Sequence, residues 1–422
     1  MSKRFKSEKA SSQTKVIVAS MLGNTLEYYD FTLFVFLSPM LSPLFFPAND
    51  PVVSIIAGLG TYALGYFMRP LGAIIFGYIG DTYGRKRALT TAIMMMALPT
   101  CIMGLLPTYE KIGILAPLSL IACRLFQGLC TGGEYNGAAI FTVENVKKNI
   151  AGFAGAIITS SSALGGLLGS TIAMIVSFSC MPSWAWRCAF IAGGIIALVG
   201  FYIRQSLEDS FISHYVYEKR KSQPPLLKVL KNHPSAVFCT MGIAAFSGIM
   251  YNISFSYISI FLTTFQKWPL SESLWVMNLG TLCYILLAPL VGHMADRWGE
   301  RLILKIGILA TILGSYPALY LITHSQSFGI ILTGQLLLAV MAILFQAPMN
   351  IYMSKLFEPS VRYSGLAFGY SIGIALFGGT TAMIATALVK LLDNPLAPLI
   401  YLMMGAGLGL FAVYKSKPII IP

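Results

Sequence analysis

Charge is what this sequence has least of. Only 11% of its 422 residues are Asp, Glu, Lys or Arg, and the acids number sixteen. Soluble domains carry about 25% charged residues, so a string of soluble domains, which the length alone would allow, is excluded. The seven cysteines and four histidines form no CxxC and no metal-ligand spacing, which removes a zinc site and a disulfide framework. Cys180 and Cys188 flank one outward loop; two free thiols are the default expectation, and pairing in an oxidising periplasm is the alternative. No GxxxxGK[ST] occurs, so ATP is not the expected energy source. No nucleophile–base constellation supports an enzyme, and no appended soluble domain supports a sensor. The N-terminus lacks a small-residue cleavage site and reads as an uncleaved first helix.

Apolar sequence is there in abundance. The chain is 56% hydrophobic, with a mean hydropathy of +0.73. Runs of about 20 apolar residues, enough to cross roughly 30 Å of hydrocarbon, recur from end to end. Twelve are expected, centred near residues 28, 65, 97, 127, 165, 194, 250, 283, 312, 340, 375 and 404. Runs of this length must close their backbone hydrogen bonds within the segment, so they are helices.

The net charge of +13 is a topology signal, and no nucleic-acid partner is expected. Under this span assignment only Lys111, Arg187, Lys267 and Lys390 fall in one set of loops, and only Arg69 and Arg124 within spans. All other Lys and Arg lie on the opposite side, including Lys3, Arg4, Lys6, Lys9 and Lys15 before the first span and Lys415 and Lys417 after the last. The positive-inside rule puts both termini in the cytoplasm of a multi-pass protein of the cell's inner (plasma) membrane.

The chain also repeats itself. GYIGDTYGRKRAL from Gly77 matches GHMADRWGERLIL from Gly292, with Gly77, Asp81, Gly84 and Lys86 answering Gly292, Asp296, Gly299 and Arg301. Glu144 and Lys148 likewise answer Glu358 and Arg362. A repeat of half the chain length predicts two homologous six-helix bundles packed face to face. The expected organisation is a tail over 1–15, a bundle over 16–204, a linker over 205–234, a second bundle over 235–414 and a tail over 415–422. The repeated loops predict matched cytoplasmic clasps built from Gly80, Asp81, Gly84, Arg85, Lys86, Glu144, Asp296, Gly299, Arg301, Glu358 and Arg362. In such a loop Asp81 is placed to cap a helix start or to pair with an arginine.

GDTYGRKRALT resembles the loop signature of the major facilitator superfamily, and ADRWGER resembles its second copy. GNTLEYYDF, FMRPLGAIIFGYIGDTYGRK, RLFQGLCTGGEYNGA and LFEPSVRYSGLAFGYSIGIALFGG together resemble the metabolite:proton symporter branch, over essentially the whole chain. Proline/betaine transporters and permeases for 2-oxoglutarate, citrate and shikimate belong to that branch. The resemblance implies an all-α fold of twelve transmembrane helices in two pseudo-symmetric bundles. It also implies transport driven by a proton gradient, with no cofactor and with a monomer as the working unit. Tyr28 stands where the branch usually has Trp, Glu300 replaces a usual basic residue, and the sequence ends at KSKPIIIP without the extension of the osmosensing transporters.

Charges within spans are costly and mark function. The deep acids are Glu27, Asp30 and Glu134 and the deep bases Arg69 and Arg124, all in the first half. The second half offers uncharged groups at depth, among them Asn252, Ser254, Gln335, Gln346 and Asn350. Arg124, Gln127, Thr131 and Glu134 share one side of a helix. Asp30, Glu27 and Glu134 are the expected proton-coupling acids; an acid on span 1 facing Arg124 on span 4 resembles the coupling pair of several facilitator symporters. Arg124 and Arg69 are the expected carboxylate ligands of the substrate, with Gln127 alongside. Tyr28, Tyr29, Tyr251, Phe255 and Tyr257 offer aromatic faces to an ammonium group. The expected partners are thus a small solute, protons and the lipid bilayer. A proline/betaine-like zwitterion is the leading substrate, a di- or tricarboxylate the alternative, and efflux of hydrophobic compounds a further one. The small-residue runs GLCTGG and GGLLGS predict close helix approach, read as helices 4 and 5 against each other.

Overall fold

The computed structural model describes residues 2–83, 85–132, 150–205, 225–358 and 361–418. Every expected span centre falls in a helix. In the first half these are α1 (Ser2–Phe45), α2 (Pro51–Tyr83), α3 (Arg85–Leu105), α4 (Leu115–Cys130), α5 (Ala151–Val176) and α6 (Ala185–Gln205). In the second half they are α7 (Pro234–Thr264), α8 (Leu270–Trp298), α9 (Glu300–Thr323), α10 (Phe328–Ser354), α11 (Ser364–Leu392) and α12 (Pro398–Lys415). Among the described residues eight of the twelve are long and apolar enough to cross a membrane by length and composition, and α3, α4 and α6 carry shorter apolar segments. The first helix keeps its acids in the middle of its apolar run, which lowers its hydropathy.

Local chemistry sets the helix ends. Pro234 and Pro398 begin α7 and α12, where a missing N–H costs nothing. Asp50 caps α2 through a 2.8 Å hydrogen bond to the Val52 N–H. Between α8 and α9, Gly299 adopts φ +89°, a conformation that L side chains rarely enter. Two helices contain a π-turn, at Ile253–Tyr257 in α7 and Ile374–Gly378 in α11.

The outer surface is apolar, with Leu286, Leu290, Leu313 and Leu391 all more than 60% exposed. Such a belt would be a liability in water and is ordinary in lipid. Trp184, Trp275, Trp298 and Tyr414 are exposed near helix ends, the usual level of an interfacial aromatic girdle.

Among the described residues the halves meet mainly where α5 packs against α8 and α10 and where α2 packs against α11. Because α2 and α8 correspond in the repeat, each bundle contributes the same element to one seam. The small-residue runs do make close approaches, but the partners differ from the expected ones. A Cβ on Gly128 of α4 would lie 1.8 Å from the Gly65 carbonyl oxygen of α2, and one on Gly165 of α5 would lie 2.2 Å from the Thr25 carbonyl oxygen of α1. Spacing alone says that a backbone will come near; it does not say which one.

Candidate functional site

A cavity opens between the bundles, with about 450 Å³ of space counting the part open to solvent. Tyr28, Tyr66, Arg69, Thr159 and Ser162 line it from the first half. Ser247, Tyr251, Asn252, Tyr284, Gln346, Met349, Tyr370 and Ile374 line it from the second, with Gly248. Among these described lining residues Arg69 is the sole ionic group.

Arg69 is 4% exposed. Its guanidinium packs 4.6 Å from the Phe31 ring and 4.6 Å from the Tyr66 ring. Glu27 lies behind it, with an oxygen 3.8 Å from Nη2. The Nε and Nη2 atoms of Arg69 have no hydrogen-bond acceptor among the described residues. Buried donors are normally paired, so this guanidinium has capacity to bind an anion.

On the opposite wall, Tyr251 and Tyr284 pack with Phe255 behind them in an aromatic cluster with centroids 5.1–6.4 Å apart. The Tyr284 hydroxyl donates to Gln346 Oε1 at 2.7 Å, and Gln346 Nε2 donates to the Ser247 carbonyl at 3.2 Å. Those two bonds fix the amide at the cavity edge. In the neighbouring π-turn the Ser254 carbonyl accepts from Gln335 Nε2 at 2.7 Å.

Asp30 and Arg124 lie deeper in the first bundle, away from the cavity wall. Arg124 is fully buried. It donates to Gln127 Oε1 at 2.7 Å and to the Phe31 carbonyl at 3.1 Å. Gln127 Nε2 donates to the Thr100 hydroxyl at 2.7 Å, and Thr100 lies 3.5 Å from Asp30 Oδ2. The acid and the arginine are therefore joined in series through Gln127 and Thr100. Behind Asp30, α6 comes so near that a Cβ on Gly193 would lie 2.5 Å from Oδ1.

Of the residues expected at the substrate, Tyr28, Arg69 and Tyr251 line the cavity; Arg124, Gln127, Tyr29, Phe255 and Tyr257 do not. Tyr29 turns to α6 and donates to the Ala189 carbonyl at 3.0 Å. Glu134, Glu144 and Gly84 lie outside the described residues, and for Gly80, Asp81, Arg85 and Lys86 only the helical backbone is described. Tyr66, Tyr284, Tyr370 and Thr100 were not singled out by sequence. For Tyr66 a signal existed, since Tyr62, Tyr66 and Arg69 recur at helical spacing on one face.

The repeated loops are described in part. The Asp296 carboxylate accepts the backbone N–H groups of Gly152 at 2.6 Å and Phe153 at 2.9 Å, which caps α5 across the α5–α8 seam. Arg301 donates to the carbonyls of Val413 and Tyr414 at 3.0 Å, closing the end of α12. Glu300 pairs with Lys355 at the end of α10. Glu358 is exposed, and Arg362 is half-buried at the start of α11. At the opposite end of the molecule Lys390 of α11 pairs with Asp50 before α2. Cys180 and Cys188 are both free and exposed.

Known proteins place this architecture. Residues 15–231 match the family model described as sugar (and other) transporter, and residues 240–418 match that of the major facilitator superfamily. The glycine betaine/proline/ectoine/pipecolic acid transporter OusA of Dickeya dadantii (strain 3937) is 31% identical, over 94% of this chain and 81% of its own. The proline/betaine transporter of Escherichia coli (strain K12) is 30% identical, over 96% of this chain and 83% of its own. A solved structure of the proton:xylose symporter XylE, bound to 6-bromo-6-deoxy-D-glucose, superposes with a TM-score of 0.74. It shares 13% identity and covers 96% of this chain and 95% of its own. At that identity the likeness is one of fold. The chain belongs to the major facilitator superfamily of membrane transporters.

Proposed function

We propose that the protein is a proton-coupled symporter that imports a small zwitterion of the proline/betaine type across the inner membrane, with both termini in the cytoplasm. The observation that carries this is Arg69, a buried guanidinium with unused donors, set in a tyrosine-walled cavity whose described lining holds no carboxylate. Arg69 takes the substrate carboxylate. Tyr28, Tyr66, Tyr251 and Tyr370 present aromatic faces to its ammonium end. A dicarboxylate would call for a second basic group in the cavity, and Arg69 is the one basic side chain in the described lining. The transport names of the two relatives support the same substrate class.

Asp30 carries the proton, with Arg124 as its partner through Gln127 and Thr100. Proton loading and substrate binding favour one another when both stabilise the same conformation, as symport requires. Asp296, and by the repeat Asp81, hold the cytoplasmic ends of the bundles together during part of the cycle. The working unit is a monomer, and the proton gradient is the energy source.

The test is uptake of labelled glycine betaine and proline into proteoliposomes, with and without an imposed inward proton gradient. Accumulation above the external concentration, abolished by a protonophore, is the expected result. Uptake that merely equilibrates, or that only dicarboxylates compete with, overturns the reading.

A further inference from the structure

One side chain touches both arginines. Phe31 of α1 is fully buried. Its ring lies 4.6 Å from the guanidinium carbon of Arg69 and 4.9 Å from that of Arg124. Its backbone carbonyl also accepts the Arg124 hydrogen bond. Tyr66 meets the Phe31 ring edge-on at 4.7 Å, and Tyr62 lies 5.4 Å away. The two hydroxyls of that pair are 3.1 Å apart, so the ring sits in a fixed aromatic frame. Arg69 faces the cavity, while Arg124 faces Gln127, Thr100 and Asp30.

From this juxtaposition we propose that Phe31 is the positioning residue that couples the two sites. A guanidinium is drawn to the face of an aromatic ring by the ring's quadrupole, most strongly where both are out of water. When a substrate carboxylate pulls Arg69 toward the cavity, the ring loses or shifts one of its cations. The ring is fully buried and framed by Tyr62 and Tyr66, so it moves with the cations that pack on it. The displacement therefore passes to Arg124, which is held by the same residue at ring and carbonyl. Arg124 in turn orders the amide of Gln127, whose other end meets Thr100 and so Asp30. The titratable and charged groups around this path include Glu27, Tyr28, Tyr29 and Asp30 from α1, Tyr62, Tyr66 and Arg69 from α2, Cys101 from α3, Cys123 and Arg124 from α4, and Tyr370 from α11. Phe31 itself exchanges no proton and meets no substrate; it transmits position.

The inference rests on the symport reading above, and the experiment separates the two. Phe31→Leu and Phe31→Tyr are compared with wild type in proteoliposomes for substrate counterflow and for accumulation under an imposed proton gradient. Phe31→Leu is expected to keep counterflow within about threefold of wild type and to lose at least tenfold in accumulation, whereas Phe31→Tyr keeps both. Because a leucine could loosen the bundle, fluorinated phenylalanines, which keep the shape and weaken the quadrupole, are placed at the same position. Accumulation should fall stepwise with fluorine number while counterflow holds. Accumulation by Phe31→Leu equal to wild type, equal losses of counterflow and accumulation across the fluorinated series, or insensitivity to fluorine overturns the coupling role. Wild-type protein that fails to accumulate substrate overturns the symport reading, and the coupling role with it.

Discussion

The two bundles share a sequence repeat and contribute corresponding helices to the seams between them, yet their described interiors differ in kind. The first bundle holds Glu27, Asp30, Arg69 and Arg124 at depth, each no more than 4% exposed. At the same depth the second bundle holds Asn252, Gln335, Gln346 and Asn350, also nearly sealed. An ionised group in hydrocarbon costs at least about 2.5 kcal/mol, so it is kept only where its charge is used. An amide costs less and serves to fix shape through pairs such as Tyr284 with Gln346 at 2.7 Å. One half has become the ionic machine; the other supplies the opposing wall. If that division holds, substitutions in the first half should change what is bound or coupled, and those in the second should tune it.

The largest effect belongs to Arg69→Ala. It removes the cavity's cation and leaves Glu27 buried without it, a change of the class that costs about 2–5 kcal/mol in buried charge pairs. Binding titrations should show affinity for glycine betaine weakened at least about 100-fold. Affinity unchanged within threefold would move the carboxylate subsite elsewhere. Arg69→Lys should recover only part of the loss, because an ammonium cannot reproduce the planar fork that lies against Phe31 and Tyr66.

Next comes Asp30→Asn, which imitates the protonated acid without changing its size. Uphill accumulation should disappear while counterflow of labelled substrate persists near the wild-type rate. A variant that still concentrates substrate under an imposed proton gradient would shift the proton to Glu27 or Glu134. In the second half, Tyr284→Phe deletes one hydroxyl and leaves the Gln346 amide held through Nε2 on the Ser247 carbonyl alone. A neutral hydrogen bond contributes about 0.5–1.5 kcal/mol, so the apparent KM should rise by roughly three- to tenfold with coupling intact. Loss of coupling in Tyr284→Phe would break the division between the halves.

Much of this was legible in sequence. The apolar runs specify the helices because no other backbone survives in lipid. The Asp81 and Asp296 loops specify two bundles because a half-length repeat has few other meanings. The deep charges stand out because the chain has so few charges at all. What one sequence does not carry is the rotation of each helix about its axis. Arg69 and Arg124 look alike as bases in apolar runs; the packing of Gly128 on Gly65 joins α4 to α2 and leaves Arg124 behind Phe31, away from the cavity. Thr100 sits in MMMALPTCIM with nothing to mark it until Gln127 is seen donating to it. Tyr66, Tyr284 and Tyr370 are three among 21 tyrosines until the two bundles are brought face to face.

The smallest expected effect lies where the halves meet outside the membrane. Lys390 of α11 pairs with Asp50, which also caps α2, so this contact bridges the bundles at the end opposite the Asp296 clasp. The Lys390 ammonium, with the Val52 amide, holds the Asp50 carboxyl below the usual carboxylate range. A carboxyl lowered in the folded state contributes stability that is present above its unfolded value and is lost as pH falls through the folded one. Both values lie on the acid side of about pH 4, so the pair adds no pH dependence between pH 5 and 8. Both side chains are a third or more exposed, at 33% and 44%, and such pairs are weak and screened by salt. Asp50→Asn should therefore alter the transport rate by about twofold or less, and raising the salt should shrink even that difference. The comparison between the halves sharpens if so: it would mean that the outer contact only registers the bundles, while the charges buried in the first one do the coupling. A tenfold change in rate for Asp50→Asn, persisting at high salt, would make this pair a gate and return part of the control of alternation to the second bundle.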